Sequence, residues 1–115
     1  MNRKYSLKKS YSIEKLIMTK QSVGNKYYAI YYNQTSEETP KLAFSISKRF
    51  KTAVRKNYEK RVTKEIFRTQ LDKLNNYEML VVVKITVEGL SYQEKVSQID
   101  YLINKILRRK NEKKS

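Results

Sequence analysis

The sequence predicts an α/β (α+β) two-layer sandwich: a small mixed sheet packed with about three helices, in the order α-β-β-α-β-α. Three observations carry this. The apolar positions Val96, Ile99, Ile103, Ile106 and Leu107 recur at helical spacing near the end of the chain. Lys41 to Ser47 alternates instead, with Leu42, Phe44 and Ile46 on one face and Ala43, Ser45 and Ser47 on the other. Met79-Leu-Val-Val-Val83 is a continuous apolar run, suited to a central strand covered on both faces. With 115 residues there is material for one modest core, so residues 1–115 form a single domain.

Taken in order, residues 1–9 read as a basic arm. Ser10 is placed to cap a first helix whose apolar face is Ile13, Leu16 and Ile17, ending between Gln21 and Gly24, with Gly24-Asn25 as a turn. Lys26 to Asn33 holds four tyrosines among β-formers and reads as a strand. Tyr27, Ala29 and Tyr31 share one of its faces, and Tyr28, Ile30 and Tyr32 the other. Asn33 to Pro40 is a polar loop before the alternating strand.

A long helix is expected from Thr52, a plausible cap, to Leu74. Val62, Ile66 and Phe67 form its inner face, with Val54 and Tyr58 nearer the edge. Glu59 also falls on the inner side, where the sequence offers it no evident partner. Asn75-Asn76 supplies a turn, and Glu88-Gly89 ends the connection after the apolar strand. Ser91-Tyr-Gln-Glu94 has the form of a capping box. Residues 108–115 are polar throughout and read as a disordered basic tail.

The charge is the strongest functional signal. Lys and Arg number 26 against 11 Asp and Glu, a net +15. Self-repulsion of that size is relieved by a polyanion, either nucleic acid or an anionic membrane surface. At about 100° per residue, Lys60, Arg61, Lys64 and Arg68 fall within roughly a third of the central helix's circumference. Asn57 lies in the same arc, and Lys56 lies beside it. No acid interrupts that face, which is a footprint for phosphates. The chain has no Cys and no His, so thiolate and imidazole chemistry, disulfides and His metal ligands are excluded together. No apolar run approaches the roughly 18 residues of a membrane helix, and the basic start lacks an apolar segment behind it. The expected compartment is the cytoplasm.

The stretch Phe44-Ser-Ile-Ser-Lys-Arg49, followed by Ala53-Val54, Asn57, Lys60-Arg61 and Lys64-Glu65-Ile-Phe67-Arg68, resembles the protein subunit of bacterial ribonuclease P. That family's signature runs Ser-x-Ser-Lys-Lys, Ala-Val, Arg-Asn-Arg, Lys-Arg, Arg-Glu-x-Phe. Leu7-Lys8-Lys9, Ser22-Val23, Asn25 and Tyr31 extend the likeness over nearly the whole chain. The departures are specific. Arg-Asn-Arg is Lys56-Asn57-Tyr58 here, Gly-Asn before Ala-Val is Lys51-Thr52, the Arg before Glu is Lys64, and two Phe positions of the first helix hold Ile13 and Ile17.

The resemblance implies a left-handed βαβ crossover and a role in tRNA maturation. A partner RNA would hydrolyse the phosphodiester that joins the 5′ leader to precursor tRNA, with Mg2+ held mainly by that RNA and no small-molecule cofactor. The protein would bind ribonuclease P RNA through Lys48, Arg49, Lys56, Asn57, Lys60, Arg61, Lys64 and Arg68. It would hold the single-stranded leader with Ile13, Ile17, Tyr31, Ser45 and Ser47, helped by Lys60, Arg61 and Lys64. No catalytic residue and no metal ligand is assigned to the protein.

Read without the resemblance, the residues leave a stand-alone basic RNA-binding protein open, of ribosomal or RNA-chaperone type. A peripheral membrane protein anchored by the helix from Val96 to Leu107 is a further reading. It is disfavoured because those apolar residues are needed for the core.

Overall fold

The computed structural model describes residues 21–35 and 38–114, with side chains through residue 108. Four strands, β1 (Ser22–Gly24), β2 (Tyr28–Gln34), β3 (Lys41–Ile46) and β4 (Tyr77–Val83), form one sheet in the order β1-β2-β4-β3. Two helices, α1 (Ala53–Arg68) and α2 (Tyr92–Lys114), pack on it. Short 3₁₀ turns at Leu71–Leu74 and Ile85–Gly89 flank β4. β1 and β4 are antiparallel to β2, whereas β3 and β4 are parallel. The sheet is therefore mixed, and β3-α1-β4 is a βαβ unit.

The alternation predicted for the strands sets which face each residue takes. Tyr28, Ile30 and Tyr32 of β2 align with Val83, Val81 and Met79 of β4, which align in turn with Ile46, Phe44 and Leu42 of β3. This face meets the helices. Val62, Ile66 and Phe67 of α1 and Ile99, Leu102, Ile103 and Ile106 of α2 complete the core. Phe67 meets Phe44 edge-on, with ring centroids 5.7 Å apart. β4 has neighbours on both sides, as its uninterrupted apolar run predicts, and Leu80 is buried on its opposite face.

Where the structure departs from the sequence reading, local hydrogen bonds explain it. Residues 22–24 are a strand rather than a helix end, because Val23 pairs with Ile30 and Gly24 with Ala29. A Cβ on Gly24 would stand 3.2 Å from the Tyr28 carbonyl oxygen and 3.3 Å from Ala29 Cα, so a larger residue would crowd the hairpin backbone. Asn25 forms its turn, with Oδ1 accepting from the Tyr27 and Tyr28 N–H groups at 2.8 and 3.0 Å. The expected helix start at Ser10 lies outside the described residues.

α1 opens as predicted, with Thr52 Oγ1 accepting from the Arg55 N–H at 3.1 Å. It stops at Arg68 rather than Leu74. Thr69 Oγ1 donates back to the Ile66 carbonyl at 2.8 Å, and the Gln70 N–H turns to the Phe67 carbonyl at 3.0 Å, tightening the chain into a 3₁₀ turn. Asn76 takes a φ of 69°, a left-handed conformation that asparagine tolerates. α2 carries helix through to Lys114, where the sequence predicted an unstructured tail from residue 108. Arg, Lys and Glu are good helix formers, and late cations suit the helix C-terminus.

The capping box is realised in both directions. The Ser91 N–H donates to Glu94 Oε1 at 2.9 Å, and the Glu94 N–H donates to Ser91 Oγ at 3.2 Å. The hydrogen bonds from the Ser91 backbone and then its side chain hold the Glu94 carboxyl below the usual carboxylate range. A depressed folded-state pKa adds stability above the unfolded pKa, and that stability is lost as pH falls through the folded value. Glu94→Gln is thus expected to flatten the acid limb of an unfolding-versus-pH curve.

Glu59 finds its partner on α2. Lys95 Nζ donates to its two carboxylate oxygens at 2.9 and 3.1 Å, and both residues are buried. Lys95 occupies a core position in the sequence pattern of α2, one turn before Ile99. Arg55 sits farther off, 3.9 Å from Glu59, and reaches Glu88 at 3.3 Å. The buried Tyr28 hydroxyl, which has no hydrogen-bond partner among the described residues, is held in its neutral form first by burial and then by the negative charge of Glu59. Removing one member of a buried pair strands the other charge. Glu59→Leu is expected to destabilise the fold by about 3–5 kcal/mol in urea unfolding. Glu59→Leu with Lys95→Met is expected to recover most of that loss, and equal losses in both variants would contradict the pairing.

Candidate nucleic-acid interface

Lys56, Lys60, Lys64 and Arg68 stand four residues apart, so they form one ridge along α1, with Arg61 beside it. Lys60, Arg61 and Arg68 are exposed, and Lys56 and Lys64 are half-buried. Among the described residues, Lys56, Lys60, Arg61 and Lys64 take part in no ion pair. Arg68 differs, because Glu65 Oε1 lies 2.5 Å from its guanidinium. The arc predicted to be free of acids is therefore free along most of its length and half-compensated at its C-terminal end.

Packing decides where the ridge points. The Glu59 side of α1 faces α2, and Phe67, which lies between Lys56 and Lys60 around the helix, packs on Phe44 of β3. β3 is an edge strand. The ridge therefore runs along the β3 side of the molecule, away from α2.

The turn between β3 and α1 adds to it. Lys48 and Arg49 are exposed there, and the Arg49 N–H donates to Ser47 Oγ at 3.1 Å. Ser47 is itself pinned, its N–H donating to the Val83 carbonyl at 2.9 Å. At the opposite end of β3, Glu38, Thr39, Pro40, Leu71, Asp72 and Asn75 line a cleft whose two carboxylates make it unsuited to phosphate.

The sheet face turned away from α1 and α2 carries the other predicted residues. Tyr31 aligns across the sheet with Leu80 and Ala43, and Ala29 aligns with Val82 and Ser45. Tyr31 is half-buried and Ser45 exposed. They share this face two strands apart, roughly 10 Å across the sheet, with Leu80 and Val82 of β4 between them. Ile13 and Ile17 lie outside the described residues.

Two residues of α1 stand where the sequence did not put them. Val54 is 77% exposed and Tyr58 44% exposed, beyond the inner face whose edge they were expected to mark. The inner face is instead widened by Glu59 and Thr63, both fully buried. Thr63 hides its hydroxyl by donating to the Glu59 carbonyl at 2.7 Å. The helical wheel held a signal for Tyr58, since it lies closer to Arg61 than to Ile66.

Like charges at i and i+4 repel by about 0.2–0.5 kcal/mol per pair on an exposed helix. Lys60→Gln removes two such contacts. It is expected to leave the isolated protein as stable as before or a few tenths of a kcal/mol more so, with the difference vanishing in high salt. A clear loss in urea unfolding would mean that Lys60 has an internal partner.

The ribonuclease P family model matches residues 1–107. The ribonuclease P protein component of Mycoplasma mobile is 33% identical over 107 residues, covering 92% of this chain and 93% of the relative. That of Acholeplasma laidlawii is 36% identical, covering 80% of each. The solved RNase P protein of Staphylococcus aureus superposes with a TM-score of 0.79 at 19% identity, covering 87% of this chain and 93% of that one. That of Thermotoga maritima gives 0.76 at 17% identity, covering 86% and 96%. Together with the α-helical cation ridge and the mixed sheet behind it, these matches show that the chain belongs to the ribonuclease P protein family.

Proposed function

We propose that this chain is the protein subunit of a ribonuclease P particle and acts by neutralising and positioning RNA while the RNA subunit performs the cleavage. The observation that supports this most is the unopposed ridge of Lys56, Lys60, Arg61 and Lys64 on a rigid helix. Polar contacts from such a ridge fix phosphates in register without reading base sequence. Asn57, exposed between the cations, adds hydrogen-bonding capacity at the same place, and Lys48 and Arg49 extend the field around the start of α1. Arg68 contributes less, since Glu65 already holds it.

On this reading the 5′ leader of precursor tRNA lies on the sheet face that carries Tyr31, Ser45 and Ser47, with Ile13 and Ile17 as the predicted apolar contacts. Tyr31 offers a ring for stacking, and the exposed Ser45 on the edge strand gives the leader a point of approach. Lys60, Arg61 and Lys64 are shared between the RNA subunit and the leader.

Among the described residues, no three acidic side chains come together as a metal site. On this reading magnesium is held by the RNA, where it supplies charge neutralisation and activated water to phosphodiester hydrolysis. The protein's cations lower the amount of metal needed to bring the RNA strands together. Among the described residues, no helix is long and apolar enough to cross a membrane.

The test is reconstitution. The purified chain is mixed with its own ribonuclease P RNA and labelled precursor tRNA at low magnesium. Release of the 5′ leader is expected to rise well above that of RNA alone. Tight binding with no gain in cleavage would favour a stand-alone RNA-binding protein instead.

A further inference from the structure

We infer that Tyr58 is a stacking platform for an unpaired base of the bound RNA, an inference that rests on the reading above. Its ring does not join the core. It lies over the charge cluster between the two helices, with the Lys95 ammonium 5.4 Å and the Arg55 guanidinium 5.7 Å from its centroid. Both cations are fixed from behind, Lys95 by Glu59 at 2.9 Å and Arg55 by Glu88 at 3.3 Å. The ring is thereby held in one orientation, and 44% of the residue remains exposed.

Its surroundings favour RNA over other occupants. Arg61, exposed and without an ion pair among the described residues, stands three residues on, and neighbours at that spacing lie about 5–6 Å apart. A strand with a phosphate on Arg61 brings an adjoining base within reach of the ring. Val54, one turn earlier, is 77% exposed and gives the base edge an apolar neighbour. Stacking on an aromatic ring suits any base, because every base has a π-face.

The position also accounts for a departure in the sequence. Where the related signature has a second arginine, this chain has Tyr58. The structure assigns it a different contact with the same partner, stacking in place of a phosphate bond.

The chain has no Trp, so Tyr58→Trp introduces a single reporter. Titrated with its own ribonuclease P RNA, this variant is expected to lose fluorescence as the base stacks. Tyr101→Trp, on the exposed side of α2, is expected to keep it. Tyr58→Leu covers the ion pair without a ring and is expected to bind about 5- to 150-fold more weakly, while Tyr58→Phe binds as the parent does. Unquenched Tyr58→Trp on an RNA that the parent chain binds, or parental affinity in Tyr58→Leu, would overturn the stacking contact alone. A parent chain that fails to bind the RNA would overturn the reading beneath it as well.

Discussion

The placement of a few carboxylates governs this molecule. The chain carries 26 basic residues and 11 acidic ones, so which cations are neutralised internally decides what surface is left. Glu59 is the acid that matters most. Fully buried between α1 and α2, it engages Lys95 at close range and Arg55 more distantly. Glu88 takes the outer end of Arg55. These contacts draw positive charge inward on the α2 side of α1. On the other side, Lys56, Lys60, Arg61 and Lys64 are left without counter-charges among the described residues. A buried pair of this kind contributes little net stability against an apolar alternative. Its effect here is to orient the two helices and to leave the charge imbalance on one face.

Topology then turns that imbalance into a usable surface. β3 is an edge strand, and α1, the crossover from β3 to β4, packs its Phe67 on the β3 residue Phe44. α2 is tied to the β1–β2 hairpin at the other side, where Asn25 Nδ2 donates to Gln98 Oε1 at 2.7 Å. The cation ridge consequently borders the edge of the sheet, and the turn with Lys48 and Arg49 links it to the strand that carries Ser45. One continuous path joins the helix ridge to the edge of the sheet face that carries Tyr31 and Ser45.

Much of this was legible in the residues. Alternation in Lys41 to Ser47, the apolar run of β4 and the Ser91–Glu94 box each map onto what is seen. The ridge was legible as well, because charge spacing on a helix needs no tertiary information. What was not legible depends on long-range partners. β1 is too short to carry an alternation and exists only by pairing with β2. The end of α1 is set by a side chain, Thr69, that competes for a backbone carbonyl. Glu59 looked anomalous on an apolar face, and only its meeting with Lys95 across 36 residues of sequence explains it. Tyr58 was misplaced because an aromatic residue beside apolar positions resembles core until its neighbours are known to be ions.

The central claim is that unpaired cations on α1 bind RNA phosphates, and the salt dependence of binding measures this directly. Each phosphate contact contributes roughly 0.7–0.9 to the slope of log affinity against log salt. Arg61→Ala with Lys64→Ala is expected to leave the fold intact, weaken binding to ribonuclease P RNA and reduce that slope by about 1.4–1.8. A slope equal to that of the parent chain would contradict the account.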